Sequence, residues 1–448
     1  MAPIERMYDL LLTLSRPLLP AARLLPPKVA DAVNGRREAM RRARLWAESG
    51  RAAGRPLVWL HAASAGELGG AVPVIRLLRN RRPELQVAIT VSSPSGLPPA
   101  SALGPDFSGY APLDTRSDCA GMVAALRPDA LVFVKLDMWP GLSAAAEQAG
   151  VPMGMINGTV RPDSSRLRSP TRQFLRSTYA RLDLAGVVGE PDARALELLG
   201  VAAEKIRVTG DAAFDQALER VRAAEADPRP RLPPRSPERQ RLVAGSTWPP
   251  DENVLLRAAR EVGPRLELVL VPHEPSAEAL RRIDAACLAT MGARPRRWSE
   301  LSAESRPGRH AGDSAMGHSV EPLVVDTVGL LADLYLEADL ALVGGAFDTT
   351  GLHSVIEPAA AGLPVLFGPV HDRREADELL AVGAAEEIHE RNAADRIAAL
   401  IDDPDRMRRM GAAARAYVER NAGASEEGAD LVSELVDRGL SRRSSSSP

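Results

Sequence analysis

The sequence predicts an α/β protein of two doubly wound, Rossmann-like domains, and three features carry that prediction. From residue 56 onward short apolar runs alternate with helical stretches, the pattern of a parallel sheet covered on both faces. The runs are too uniformly apolar for strands with one wetted face. Over residues 225–241 proline and charge replace all periodicity, and the alternation resumes afterwards. At 448 residues the chain is too long for one core, so two domains of roughly 200 residues with a cleft between them are the natural division.

Taken in order, residues 1–55 form a leucine-rich, helical N-terminal segment, interrupted by Arg16, Pro17, Pro20 and Arg23. A secretory signal would place its basic residues first and end in a small-residue cleavage site, which this segment does not do. Two readings fit it equally: a helix packed on its own domain, or an amphipathic helix lying on a bilayer. Residues 56–224 read as the first domain, with strands at PLVWLHA, LQVAITVSS, ALVFVKL, VPMGMING and LAGVVG. Helices such as GGAVPVIRLLRNRRP and WPGLSAAAEQAG lie between them. Residues 225–241 read as a linker. Residues 242–430 read as the second domain, with strands at RLVAGST, LELVLVPH, PLVVDT, LALVGGA and LPVLFGP. Residues 300–319 read as a long polar surface loop, and 431–448 as a helix end running into a disordered tail.

Composition narrows the function classes. A hydrophobic content of 45% and a charged content of 26% are ordinary for a globular protein. The net charge of −3 carries no nucleic-acid footprint. Cys119 and Cys287 lie far apart and match no metal or redox spacing, which suits a reduced, cytoplasmic setting. No apolar run reaches the roughly 18 residues of a membrane span.

The most specific motif is VGGAFDTTGLHSVIEPAAAGLPVLFGP, residues 343–369. A strand ends in Gly344–Gly345, a glycine-containing loop follows, and IEPAAAG opens a helix. Glycines let backbone approach a phosphate, and free N–H groups at a helix start favour an anion. A phosphate near Gly351, His353 and Ser354 would leave Glu357 to accept the hydroxyls of a ribose. The bland alternative is a helix whose Glu357 complements the dipole, but the length of the string favours a nucleotide site. Three further loops end strands on the same side: Ser246–Thr247, His273–Glu274, and Thr327–Gly329 with Tyr335 beyond. Any one of them is more often a simple cap. Several converging on one sheet edge argue for a ligand there.

In the first domain HAASAGE (61–67) follows a strand and starts a helix. Glu67, near that start, is stabilised as an anion by the dipole. A partly desolvated carboxylate there serves either as a helix cap or as a general base for a hydroxyl nucleophile. Ser64 and Gly66 flank it, Ser93 ends the next strand, and Asn157 opens a loop carrying Arg161, Arg166 and Arg168. Those arginines would hold phosphates of an anionic acceptor by bidentate hydrogen bonds, although such loops are more often only solvated.

Together these residues resemble the 3-deoxy-D-manno-octulosonic acid (Kdo) transferase family over about residues 56–425. WLHAASAGELGGAVPVIRLL is similar to the family's strand–turn–helix, which implies that Glu67 is the general base. DMWPGLSAAAEQAGVP, GEPDARALELLGVAAEKIRVTGDAAFD, AGSTWPPDE, DTVGLLADLY and the 343–369 string resemble its other segments. The resemblance implies the two-domain GT-B glycosyltransferase fold, with acceptor on the N-terminal domain and nucleotide sugar on the C-terminal one. It implies transfer of Kdo from CMP-Kdo to a lipid A precursor at the cytoplasmic face of the inner membrane, with no cofactor and no metal. The sequence departs from the family pattern at the site. Lys135 stands where the first glutamate of ETELWP is usual, and Asp137 where the second is. PRHP becomes Pro272-His273-Glu274-Pro275, without its arginine, and Ser354 replaces an asparagine.

Two other readings keep the fold. One is a nucleotide-sugar epimerase or hydrolase, which a leucine-rich N-terminus does not explain. The other is a non-catalytic paralogue that retains nucleotide or lipid contacts, suggested by Lys135 and Glu274.

Overall fold

The computed structural model describes residues 3–17, 27–52, 54–226, 231–234, 237–304 and 321–445. Two compact units emerge: residues 1–216 with 422–448, and residues 217–421.

In the first unit α1 (Pro3–Ser15) and α2 (Pro27–Ser49) precede strand β1 (Leu57–Ala62). Strands β2 (Gln86–Val91), β3 (Phe107–Tyr110), β4 (Ala130–Val134), β5 (Met153–Gly158), β6 (Leu184–Val187) and β7 (Ile206–Val208) follow. After each of the seven strands in turn comes a helix: α3 (Ala65–Arg81), α4 (Leu97–Ala102), α5 (Arg116–Leu126), α6 (Pro140–Gln148), α7 (Thr171–Tyr179), α8 (Glu190–Leu198) and α9 (Ala212–Ala226). The sheet runs β3-β2-β1-β4-β5-β6-β7, and its paired strands are parallel. β1, β2, β4 and β5 are buried along their whole length, as a sheet packed on both faces requires.

The second unit repeats the scheme with β8 (Gln240–Thr247), α10 (Pro249–Val262), β9 (Leu266–Pro272), α11 (Ala277–Met291), β10 (Arg296–Arg297), α12 (Trp298–Glu304), β11 (Leu323–Val324), α13 (Leu331–Tyr335) and β12 (Leu340–Val343). It continues through α14 (Ile356–Ala360), β13 (Val365–Phe367), α15 (Arg374–Ala381), β14 (Ala385–Glu387), α16 (Ala393–Ile401) and α17 (Pro404–Arg420). Its order is β10-β11-β9-β8-β12-β13-β14. Strand order reverses between β1 and β4 and again between β8 and β12. The loops leaving those strands diverge there and open a crevice, the usual ligand position of a doubly wound sheet.

The chain ends differ from the sequence reading. Helix α18 (Ala424–Ser445) belongs to the first unit, not the second. Gly428 brings it against Val74 of α3, where an added Cβ would lie 3.0 Å from Val74 Cγ2. Arg81 of α3 and Arg82, which caps its end, pair with its Asp430 and Asp437 at 2.9 and 2.8 Å. The supposed tail is therefore helical as far as Ser445, and residues 446–448 lie outside the described part. The supposed polar loop likewise begins as α12, with 305–320 outside the described residues. The linker begins inside α9 and ends inside β8, with 227–230 and 235–236 also outside. Strands β3, β7, β10 and β14 escape sequence reading because they are short; β7 is also an edge strand with a partly wetted pattern.

Helix α1 docks by its polar side. Glu5, fully buried, accepts two hydrogen bonds from Arg181, at 2.7 and 2.8 Å, and one from Ser177 Oγ. Asp9 accepts from the Arg116 N–H at 2.7 Å, and the Tyr8 ring lies against Phe174. Met7, Leu10, Leu11 and Leu14 are all more than half exposed. The helix is thus both packed on its domain and amphipathic with its apolar side outward. Among the described residues no helix is long and apolar enough to cross a membrane.

Candidate active site

At the carboxyl end of β1 the chain stays extended through Ser64 (φ −149°, ψ 174°) and enters α3 at Ala65. Ser64 is the N-cap by position, yet its side chain makes no capping hydrogen bond. Glu67 fills part of that role, with its Oε2 accepting from the Ala63 N–H at 2.7 Å. Among the described residues Oε1 has no hydrogen-bond partner. Burial raises the Glu67 carboxyl above the ordinary carboxylate range and nearby Asp137 adds to this, while the Ala63 N–H, Lys135 and His61 oppose it. Cap and base are therefore compatible, because one oxygen holds the helix start and the other is left for a proton.

Behind Glu67 lies a buried relay. Trp59 Nε1 donates to Thr90 Oγ1 at 2.8 Å. His61 Nδ1 lies 3.0 Å from the Thr90 hydroxyl and 3.1 Å from the Thr90 carbonyl, and His61 Nε2 donates to Asp137 Oδ2 (3.1 Å). Asp137 also accepts from Ser92 Oγ at 2.8 Å and from Trp139 Nε1 at 2.7 Å. Burial pushes its carboxyl up, but the hydrogen bonds from His61, Ser92 and Trp139 together hold it below its usual value. Asp137 is thus a saturated anion, unsuited to take a proton, and Glu67 is the better base of the pair. Lys135 follows β4 in a left-handed backbone conformation (φ 59°), uncommon for a lysine and one that re-aims the chain at the strand-order reversal. Arg36, from α2, donates to the Ser92 carbonyl at 3.1 Å.

The second unit builds its edge from backbone and rings. Gly344 and Gly345 leave β12 beside the end of β8. A Cβ on Gly344 would lie 2.8 Å from Thr247 Cα, and one on Gly345 (φ 93°) would strike the Gly351 backbone. These are close backbone approaches that only glycine permits. Buried Asp251 ties the two loops, accepting from the Trp248 N–H at 2.7 Å and the Gly345 N–H at 3.0 Å. Burial pushes its carboxyl up to about 6 against those hydrogen bonds. The Trp248, His273 and His353 rings stack in sequence, with centroids 4.9 and 4.4 Å apart. Trp248 Nε1 donates to His353 Nε2 at 3.0 Å. Burial, with help from His273 and Arg373, pushes His353 down to about 4, so it is neutral at physiological pH. A platform of this kind offers ring faces and N–H donors to a planar, anionic ligand.

Residues 37–216 match the family described as 3-deoxy-D-manno-octulosonic-acid transferase (kdotransferase). The chain is also 30% identical over 404 residues to the 3-deoxy-D-manno-octulosonic acid transferase of Bordetella pertussis, covering 85% of this chain and 87% of that one. The chain belongs to the Kdo transferase family. Two solved structures are similar in fold alone. The UDP-GlcNAc 2-epimerase of Neisseria meningitidis, bound to UDP-GlcNAc, is 14% identical with a TM-score of 0.56, covering 85% of this chain and 99% of that one. A glycosyltransferase from Rickettsia africae is 12% identical with a TM-score of 0.54, covering 86% and 99%. The Kdo transferase family member described here is thus a glycosyltransferase of GT-B type.

Within this family member the residues singled out from sequence fall into several overlapping groups. Glu67, Ser64, Lys135 and Asp137 come together at the β1/β4 reversal, and Ser246, Thr247, Gly344 and Gly345 at the β8/β12 reversal. His273 and His353 join the latter through their rings. A second group is placed by structural ties. The Asn157 amide donates to the Gly70 carbonyl at 2.8 Å and accepts from the Ala212 N–H at 3.4 Å, so both its ends are used. Thr247 spends its hydroxyl on buried Glu252 (3.3 Å), and Ser354 Oγ accepts from the Ile356 N–H at the start of α14. Ser93 meets Ser95, and Tyr335 is a core residue beneath Gly245. The third group is exposed: Gly66, Glu274, Gly351, Arg161 and Arg168, with Arg161 turned toward Asp163 at 3.2 Å. Arg166 is half-buried beside the Tyr179 hydroxyl. Glu357, in the first turn of α14, pairs with Arg220, and the two line a groove of about 400 Å³ with Gly329 and Asp333. Thr327 Oγ1 is buried without a partner among the described residues.

Sequence reasoning missed His61, Trp139, Asp251, Trp248 and Arg220. For His61 a signal existed, since a histidine inside an otherwise apolar buried strand demands a polar partner.

Proposed function

We propose that the protein transfers Kdo from CMP-Kdo to a lipid A precursor or a similar anionic glycolipid, with inversion at the anomeric carbon. The observation that carries this reading is the half-buried Glu67 carboxylate, held by one oxygen at the strand-order reversal beside a saturated Asp137. Glu67 takes the proton of an acceptor sugar hydroxyl. The hydroxyl oxygen then bonds to the anomeric carbon as the bond from that carbon to the CMP phosphate oxygen breaks, and CMP departs. Gly344, Gly345, Ser246 and the loop reaching Ser354 stabilise the leaving phosphate with preorganised N–H groups, while Glu357 accepts the ribose hydroxyls. Ser64, Ser93, Lys135 and the arginines at 161, 166 and 168 meet the acceptor, Lys135 by charge. No cofactor or metal ion takes part in this scheme.

The outward leucines of α1 support work at a membrane surface, as a peripheral protein of the cytoplasmic face of the bacterial inner membrane. An amphipathic helix of this kind buries its apolar side at the headgroup boundary, and a lipid acceptor is there to be met.

Thermal-shift measurements with CMP-, UDP- and GDP-sugars test the donor. Stabilisation by CMP and CMP-Kdo alone supports the reading. Selective stabilisation by a UDP-sugar would point to an epimerase or hydrolase, and no response to any nucleotide would point to a degenerate binding protein.

A further inference from the structure

Of the five tryptophans in the chain, four are engaged by the fold. Trp59 is fully buried with its indole N–H on Thr90. Trp46 lies against Phe107 with ring centroids 5.8 Å apart, Trp248 stacks on His273, and Trp298 donates to the Arg231 carbonyl at 2.8 Å. Trp139 differs. It is 42% exposed, and among the described residues no other ring lies on its faces.

Its position is nonetheless fixed. Trp139 stands extended directly before α6 (φ −109°, ψ 148°), and Pro140 sets the first helical turn. The Gly141 and Leu142 N–H groups that follow donate to Asp114, at 3.0 and 2.9 Å. The indole Nε1 donates to buried Asp137 at 2.7 Å, a bond strengthened by the acceptor's charge. An isolated exposed leucine needs no explanation. An indole whose only polar atom is held by a buried carboxylate is different, because it turns nothing but ring surface to solvent. Asp137 is also the neighbour whose charge acts on Glu67. Ring and base thus share one carboxylate, and a single sugar residue is large enough to touch both.

We propose that the exposed face of Trp139 is the stacking platform for the acceptor's sugar ring, the contact that selects a pyranose and presents its hydroxyl to Glu67. The inference rests on the glycosyl-transfer reading above and adds to it the residue that recognises the acceptor. An aromatic face is negative, and the axial C–H hydrogens of a pyranose, polarised by the ring's oxygens, are weakly positive. Stacking buries the apolar side of the sugar and leaves its polar groups to water or to Lys135, whose ammonium makes no ion pair among the described residues. A ring already held by its N–H has little side-chain freedom left to lose on binding.

The test is calorimetry on the full chain with the water-soluble, bisphosphorylated glucosamine disaccharide of a lipid A precursor, using variants that separate the ring's face from its N–H. Trp139→Leu keeps apolar bulk but loses the face, so the disaccharide should bind about tenfold more weakly while CMP affinity is unchanged. Trp139→Phe keeps a face but loses the N–H, and should bind within about threefold of the wild type. If Trp139 only held Asp137 in place, both variants would lose equally. Indole emission gives a second readout. The disaccharide should change the emission of the wild type and not that of Trp139→Phe, because the other four tryptophans are buried or half-buried. No disaccharide binding by the wild type, unchanged binding by Trp139→Leu, or equal losses in both variants overturns the proposal. Kdo transfer assays keep the two ideas apart. A wild type that binds the disaccharide through Trp139 but transfers nothing counts against the transfer reading alone, and transfer with an acceptor KM indifferent to Trp139→Leu counts against the platform alone.

Discussion

At the carboxyl edge of the first sheet four ionisable side chains, His61, Glu67, Lys135 and Asp137, act on one another within a few residues of the strand ends. The matching edge of the second sheet presents two glycines, a neutral His353 and a stack of three rings. Both edges lie at the strand-order reversal of a seven-stranded parallel sheet, so the difference is not one of architecture. It teaches how one scaffold would divide the labour proposed for it. A proton-transferring edge needs a carboxylate whose basicity is tuned by burial and neighbouring charge. A phosphate-holding edge needs close backbone approach and fixed N–H donors.

Breaking the first edge should have the largest effect. Glu67→Gln keeps the Ala63 hydrogen bond but removes the base, and turnover should fall roughly 10²- to 10⁴-fold in steady-state assays, with nucleotide affinity unchanged. A comparable loss of CMP affinity would mean that the two edges do not divide their roles as described. Breaking the second edge by Gly344→Ala places a methyl 2.8 Å from Thr247 Cα and 2.9 Å from Asp251 Oδ2. Denaturation should show a loss of about 1–3 kcal/mol, accompanied by weakened CMP binding.

Two substitutions sharpen the comparison through pH. In the proposed mechanism Glu67 acts when ionised, so activity should rise as pH passes upward through its pKa. Asp137 pushes that value up and Lys135 pulls it down. Asp137→Asn should therefore move the acidic limb of the kcat/KM profile to lower pH, and Lys135→Met to higher pH. Shifts of the same sign in both variants would remove the electrostatic account. On the second edge Trp248→Phe removes the indole donor to His353 and should cost about 1 kcal/mol of stability. An NMR titration should show His353 still titrating well below an ordinary histidine, because burial is the first cause of its depression. The smallest effect belongs to Arg220→Ala. The Arg220–Glu357 pair is partly solvated, with Arg220 half exposed, so stability should change by no more than about 1 kcal/mol. CMP affinity should hold or improve as Glu357 is released for the ribose.

Much of this is legible in the sequence where the physics is local. The largely apolar strands β1, β2, β4, β8 and β9 announce themselves, and so do Glu67 and the Gly344–Gly345 turn, each placed by a strand end followed by a helix start. What cannot be read depends on distant pairing. His61 and Asp137 are 76 residues apart, and Trp248 and His353 are 105 apart; no periodicity encodes such contacts. Helix α18 carries an amphipathic pattern that says it packs, but not on which sheet. Strands of two or three residues, such as β10 and β14, hold too few side chains to show any period. Asn157 is ambiguous for a related reason: a polar residue at a strand end looks alike whether it awaits a ligand or bridges two helices.

The most direct measurement is incubation of the protein with CMP-Kdo and a lipid A precursor in anionic vesicles, followed by mass spectrometry of the lipid. The account predicts lipid bearing added Kdo and release of CMP, both absent with Glu67→Gln. Unmodified lipid alongside intact CMP binding, or Kdo addition that survives Glu67→Gln, would contradict it.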